Sequence, residues 1–331
     1  IQLALGMTMT GADQRTLDQF FDMMHVIDRE AFDHQQKQLQ VLLTNRNHAT
    51  LNINNSLWIR DSFKEYVLAD YLDRVVENYG ALVATGDFDD MAMVDSINRW
   101  VKDTTNKKID KALDGPIDPL TVMFLINTIY LKADWLSAFD PNQNIQENFY
   151  GSSTNRITYM NQILDAMAYV EDDLAYIELP YKDQDLKMVI ILDENQPATL
   201  DRYRELQNKA SLKSVDLFLP KFKIETEISM NQPLIDMGMQ DAFLPDTADF
   251  SRIAENAKAM GLHIADVLHK TFIQVDEKGT EAAAMTKVEM RLESMPHSDI
   301  ILKIDRPFTM LLVDTKLDVI TFMGFIFDLQ N

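Results

Sequence analysis

Apolar and polar positions recur with clear periods along most of this chain, and they predict helices early and strands late. Helical spacing of apolar residues predicts helices over 3–12, closed by Gly11, over 16–24 and over 29–43. A strand follows at 50–59, a helix at 64–79 stopped by Gly80, and a longer helix at 91–113 with Ile97, Trp100, Val101 and Ile109 on its inner side. Residues 120–131 are almost all apolar, the pattern of a strand buried on both faces. Beyond residue 140 strand patterns dominate: 147–150, 166–170, 175–179, 188–192, 215–223, 263–277, 300–304, 308–314 and 319–327, with short helices at 198–208 and 232–237. Helices and strands segregated in this way predict an α+β fold. No linker or internal repeat interrupts the 331 residues, so one domain over 1–331 is expected.

The stretch from Glu277 to Leu292 carries two patterns at once. Read alternately, Thr280, Ala282, Ala284, Thr286, Val288, Met290 and Leu292 share one face. Glu281, Ala283, Met285, Lys287, Glu289 and Arg291 share the other, as a half-buried strand requires. The same Ala, Glu, Met, Lys and Arg residues are good helix formers, and Gly279 permits a swivel at the start. On pattern alone the segment stands equally as a surface helix or as a loop able to become a strand.

Composition narrows the function. A formal net charge of −21 argues against nucleic acid, anionic membrane and a heparin-type basic site as partners. The absence of cysteine removes disulfides, thiol catalysis and thiolate metal ligands. No apolar run reaches the 18 residues of a membrane span. The chain opens at Ile1 inside an apparent helix, which leads us to expect a further segment before it. No glycine-rich phosphate loop, nucleophile elbow or His-Glu-x-x-His is present. His263 and His269, six apart, would lie roughly 20 Å from each other along a strand, so no metal and no cofactor is expected. Nothing marks a catalytic site, and an enzyme is not expected.

Glu277-Lys278-Gly279-Thr280-Glu281-Ala282-Ala283-Ala284 resembles the proximal hinge of the serpins, the serine protease inhibitor family, and Asp305-Arg306-Pro307-Phe308 resembles the family's landmark after its reactive loop. Further phrases in family order are 51–59, Leu179-Pro180-Tyr181-Lys182, Leu219-Pro220-Lys221-Phe222-Lys223, 237–243 and Ala248-Asp249-Phe250-Ser251. The resemblance runs from residue 1 to about 327. Two departures stand out. The serines that usually precede the first stretch are not in the sequence, and Gly324-Phe325-Ile326-Phe327 lacks the usual proline.

The resemblance implies the serpin fold: a large central mixed sheet, two smaller sheets, eight or nine helices and an exposed reactive loop at about 279–299. It implies a suicide-substrate inhibitor, monomeric, whose partner is a target serine protease held in a covalent complex. The alternative on the same fold is a non-inhibitory storage, carrier or chaperone protein. The hinge would comprise Glu277, Gly279, Thr280, Glu281, Ala282, Ala283 and Ala284. Family spacing from Gly279 puts the reactive bond between Glu293 and Ser294, with Leu292 and Arg291 as the alternatives. Asn127 and His269 match the pair that hydrogen-bonds beneath the centre of the main sheet. Trp135 matches the tryptophan where loop insertion begins. The helix at 91–113 matches the one that crosses the sheet. An extracellular or cell-surface location is expected, with a cytoplasmic one left open.

Overall fold

The computed structural model describes residues 2–193, 196–280 and 298–330. Seven α-helices lie among them: α1 (Gln2–Gly11), α2 (Gln14–Met24), α3 (Arg29–Thr44), α4 (Ala69–Tyr79), α5 (Met91–Thr104), α6 (Leu200–Lys209) and α7 (Asn231–Asp236). Their ends follow local chemistry. Asp28 accepts from the Ala31 N–H at 2.7 Å, Asp90 from Ala92 at 2.9 Å, and Thr199 from Arg202 at 3.1 Å, each satisfying an orphan donor of the first turn. Gly80 closes α4 in the left-handed region, as the sequence predicts.

Two helices depart from expectation. The helix predicted at 64–79 is a short 3₁₀ turn, Lys64–Tyr66, followed by α4, because Leu68 is extended and its N–H bonds to Ile253. The helix predicted to reach residue 113 ends at Thr104. The Thr104 and Thr105 hydroxyls bond back to carbonyls of the preceding turn, and Asn106 and Lys107 both take positive φ, which breaks the helical path.

The strands are β1 (Ala49–Arg60), β2 (Leu82–Gly86), β3 (Met123–Asp134), β4 (Ile145–Tyr150), β5 (Thr154–Glu171), β6 (Leu174–Pro180), β7 (Leu186–Leu192), β8 (Ser211–Pro220), β9 (Phe222–Ser229), β10 (Leu268–Asp276), β11 (Gly279–Thr280), β12 (Ile300–Lys303), β13 (Phe308–Asp314) and β14 (Val319–Ile326). A six-stranded mixed sheet has the order β2-β1-β3-β11-β10-β9. The remaining strands form an eight-stranded sheet, with seven in the order β12-β8-β5-β6-β7-β13-β14 and β4 paired to β5 off that path. The strands expected as two smaller sheets are joined here because β5, 18 residues long, pairs with β4 over its first part, with β8 over its middle and with β6 at its end. The single strand predicted at 215–223 is two, turned at Pro220–Lys221. The run at 120–131 is mostly half-buried rather than enclosed, and Leu120 lies outside β3 and is exposed.

The described residues group into two compact units, those within 1–45, 51–130 and 225–272, and those within 46–50, 131–224 and 273–331. In the second, β7 and β13 are buried along their whole length. Their residues alternate between two apolar clusters, one containing Met188, Ile190, Met310 and Leu312, the other Val189, Ile191, Leu311 and Val313. That double burial is why both strands read as unbroken apolar runs.

In the first unit α1 is nearly enclosed. Its Gly6 lets α3 and α4 approach: a Cβ there would meet the Tyr79 hydroxyl at 2.6 Å and Phe32 at 3.0 Å. At this junction lies Asp33, 2 % exposed. It accepts from the Tyr79 hydroxyl at 2.6 Å and from Thr10 at 3.3 Å. Burial raises its carboxyl above the ordinary carboxylate range, and the hydrogen bonds from Tyr79 and Thr10 and the Arg29 charge offset this only in part. A carboxyl raised in the folded state adds stability below its unfolded value and loses it as pH rises through the folded one. Asp33→Asn should therefore gain on the parent protein as pH increases from about 4.5 to 8. Urea midpoints at both pH values test this, and a variant shift of equal size at each would refute it.

Candidate functional site

The hinge is built at the end of β10. After Asp276 the chain turns through Glu277 and Lys278 and comes back as β11. Its two residues pair antiparallel on both sides, Gly279 with Asp276 and Asp134, Thr280 with Val275 and Ala133. Gly279 has φ of +154°, and a Cβ there would fall 2.0 Å from the Ala133 carbonyl oxygen and 2.8 Å from the Asp134 Cα. Only glycine brings the backbone this close to β3.

Thr280 is 2 % exposed. Its hydroxyl shares a 2.6 Å hydrogen bond with the buried Tyr181 hydroxyl. Tyr181 stacks on Trp135, centroids 4.6 Å apart and planes 8° from parallel. Burial pushes the Tyr181 phenol well above its usual range, so it stays protonated. Trp135 holds the turn by two further bonds, its backbone N–H to Lys278 O at 2.7 Å and its indole N–H to Asp276 O at 2.9 Å. The Phe139 N–H bonds to Glu277 O at 2.8 Å. Three consecutive hinge carbonyls are thus fastened by two residues.

The Glu277 side chain is fastened separately. Its carboxylate accepts from Lys221 at 2.8 Å and from Asn144 at 2.5 Å. Burial favours its neutral form, but these two bonds outweigh that and hold the carboxyl below the usual glutamate value. Of the expected hinge and insertion residues, Glu277, Gly279, Thr280 and Trp135 therefore meet in one place. Glu281, Ala282, Ala283, Ala284, Arg291, Leu292, Glu293 and Ser294 lie outside the described residues.

Asn127 and His269 belong to the other unit. Asn127 lies on β3 and donates to the Asn55 side-chain oxygen on β1 at 2.8 Å. Asn55 in turn donates to the Tyr79 carbonyl at 2.6 Å. The Asn127–His269 hydrogen bond that the resemblance implies does not occur among the described residues; the Asn127 amide donates instead to the Asn55 side chain and the Asn54 carbonyl. His269 is half-buried, and burial lowers its imidazole to about 4, so it is neutral near pH 7. α5 packs Met93, Val94, Ile97 and Val101 together with Trp58. Trp100 meets Trp58 edge-on at 6.3 Å. The helix end is tied to β3 by Thr104–Thr128 at 3.1 Å and Asn106–Tyr130 at 2.9 Å.

The residues that sequence reading does not single out are Tyr181, Lys221, Asn144, Phe139 and Asn55. Tyr181, Lys221 and Asn55 fall inside phrases quoted for the resemblance, but their partners are distant in sequence and periodicity carries no trace of them. No group of three or more potential metal ligands occurs among the described residues, and none of their helices is long and apolar enough to cross a membrane.

A family model described as serpin (serine protease inhibitor) matches residues 1–329. A serpin-like protein of Methanosarcina acetivorans is 33% identical over 87% of this chain and 69% of its own length. Ipis-1 of Ixodes persulcatus is 31% identical over 99% of this chain and 90% of its own. Among solved structures, the thermophilic serpin tengpin in its native state superposes with a TM-score of 0.84 at 32% identity, covering 99% of this chain and 86% of tengpin. Thyroxine-binding globulin in complex with thyroxine gives 0.85 at 26% identity, with coverages of 99% and 90%. With a paired strand at the expected hinge and a family match from end to end, the chain belongs to the serpin family.

Proposed function

We propose that this chain inhibits serine proteases as a suicide substrate. The observation that carries it is the two-residue strand Gly279–Thr280, hydrogen-bonded on both sides between β3 and β10. A strand in that place is a started insertion: each following residue finds waiting backbone partners if the chain continues along the same line. The next inward positions, Ala282 and Ala284, are small, so they enter with little steric delay.

The chemistry is acyl transfer. The protease serine attacks the Glu293 carbonyl carbon, the amine of Ser294 leaves with a proton, and an ester joins Glu293 to the enzyme. The freed strand, about 14 residues from Thr280 to Glu293, spans roughly 46 Å when extended. Its insertion carries the protease along before water can attack the ester. Leu292 or Arg291 in the bond position would direct the inhibitor to chymotrypsin-like or trypsin-like enzymes instead. The same reading places the protein outside the cell or at its surface, where such proteases act.

Members of this fold also bind small molecules, as thyroxine-binding globulin in complex with thyroxine shows. Small inward hinge residues favour inhibition over carriage here.

Ala282→Glu puts a charge on an inward position. It should leave cleavage intact and abolish the covalent complex, seen as loss of the SDS-stable band and a stoichiometry raised about tenfold or more. An unchanged stoichiometry would overturn the insertion mechanism. Mass spectrometry of the released fragment locates the bond, expected after Glu293. Cleavage of the loop should raise the thermal midpoint by tens of degrees if the strand then completes the sheet, whereas a carrier should show no rise. Glu277→Gln weakens the bond from Lys221. The intact variant should convert spontaneously to an inactive form several times faster than the parent, measured as activity lost on incubation.

A further inference from the structure

β12 is a short strand with a slender hold. Its four residues, Ile300–Lys303, stand at the edge of their sheet and pair in parallel with β8 on one side. Leu302 is its buried side chain, while Ile301 is 71 % exposed. Asp299 stands just ahead of the first ladder pair, Ile300 with Val215. Its backbone N–H donates to Ser214 O at 2.8 Å, and its carboxylate accepts from the Ser214 N–H at 2.9 Å. One residue of β8 is thus gripped twice, by main chain and by side chain.

β12 also lies close to the hinge. Trp135, which bonds the hinge turn, lines one recess with Leu164. Leu164 pairs with Val215, and Val215 with Ile300, so β12 is about two strand spacings, roughly 10 Å, from Leu164. A strand continued from Thr280 in the register of β11 runs away from this place. Thr280 lies opposite Ala133 on β3, and thirteen steps further Glu293 would stand roughly 43 Å from it. In an uncut chain residues 294–299 would have to make the return, and six residues reach only about 20 Å. Insertion before cutting therefore pulls on Asp299 and is completed only if β12 comes off β8. The pull arrives at the first residue of an edge strand, so the ladder opens one pair at a time, starting there. We propose that the Asp299 carboxylate is the latch that keeps the uncut loop out of the sheet, a role that rests on the inhibitory reading above. Cutting after Glu293 separates the inserting strand from β12 and bypasses the latch. Asp299 then sets how long the inhibitor keeps, and leaves its action on a protease unchanged.

The test compares Asp299→Ala and Asp299→Asn with the parent in the whole uncut chain. Asp165→Ala, at the exposed register partner of Ser214 on β5, controls for the loss of a charge. Hydrogen exchange of the Ile300–Lys303 amides should quicken about fivefold in Asp299→Ala. Spontaneous conversion, followed as growth of a species with a raised thermal midpoint, should quicken to the same degree. Asparagine keeps an acceptor oxygen for the Ser214 N–H and should restore most of both, and the control should match the parent. Fresh Asp299→Ala should trap protease with the parent's stoichiometry. Conversion no faster than the parent's, an asparagine variant as fast as the alanine one, an equally fast control, or a raised stoichiometry in fresh protein overturns the latch. Exchange and conversion involve no protease. A parent that traps none would overturn the inhibitory reading, and these two measurements would still decide the latch.

Discussion

The structure depends on how closely the Gly279 backbone approaches β3. Peptide groups at an open strand edge are expensive to leave unpaired away from water. At the level of Ala133–Asp134 and Val275–Asp276 the returning chain satisfies β3 and β10 together. It can do so only because residue 279 has no side chain. A Cβ would lie 2.0 Å from the Ala133 oxygen, far inside van der Waals contact, and relieving that would shift the Gly279–Thr280 backbone. The glycine is therefore a distance constraint as much as a torsional one.

Around that contact the hinge is fastened at two different stiffnesses. The backbone carbonyls of residues 276 to 278 meet Trp135 and Phe139, both buried aromatic residues at the edge of a large apolar cluster. Moving them would disturb the core. The Glu277 carboxylate is held by Lys221, whose side chain remains more than a third exposed. An ion pair so placed is screened by solvent and modest in strength. The turn is thus rigid in its main chain and adjustable in its side chain.

Much of this was legible in the sequence. Apolar runs identified β7 and β13, Gly11 and Gly80 closed α1 and α4, and the alternation beginning at Thr280 put that residue on the buried face. What was lost has specific causes. The first twelve residues of β5, Thr-Asn-Arg-Ile-Thr-Tyr-Met-Asn-Gln-Ile-Leu-Asp, show no clean period because the strand's burial pattern is irregular over that stretch. Residues 105–113 continue a helical pattern but are not helical, since Ile109 and Ala112 are buried from a linker. The hinge itself was ambiguous because Glu-Ala-Ala-Ala satisfies a helix as readily as a strand. Local propensity and long-range pairing disagree there, and only the fold decides. Tyr181, Lys221 and Asn144 could not be read at all, as each acts on the hinge from more than 50 residues away.

The polar chain in the first unit shows a different use of hydrogen bonds. Asp33 accepts from Tyr79, the Tyr79 carbonyl accepts from Asn55, and Asn55 accepts from Asn127. Together they link α3 and α4 to β1 and β3 through buried or half-buried side chains. Apolar contacts at the same places would give up packing as soon as two strands shifted. Amides hold strongly when satisfied yet can exchange one partner for another over a short movement. His269, neutral through burial and carrying both a donor and an acceptor nitrogen, is chemically able to become such a partner. On the proposed inhibitory reading the sheet admits another strand, and groups that can change partners suit that better than side chains that interlock. The Asn127–Asn55 bond, in place of the expected Asn127–His269 bond, is one of the arrangements such a junction can take.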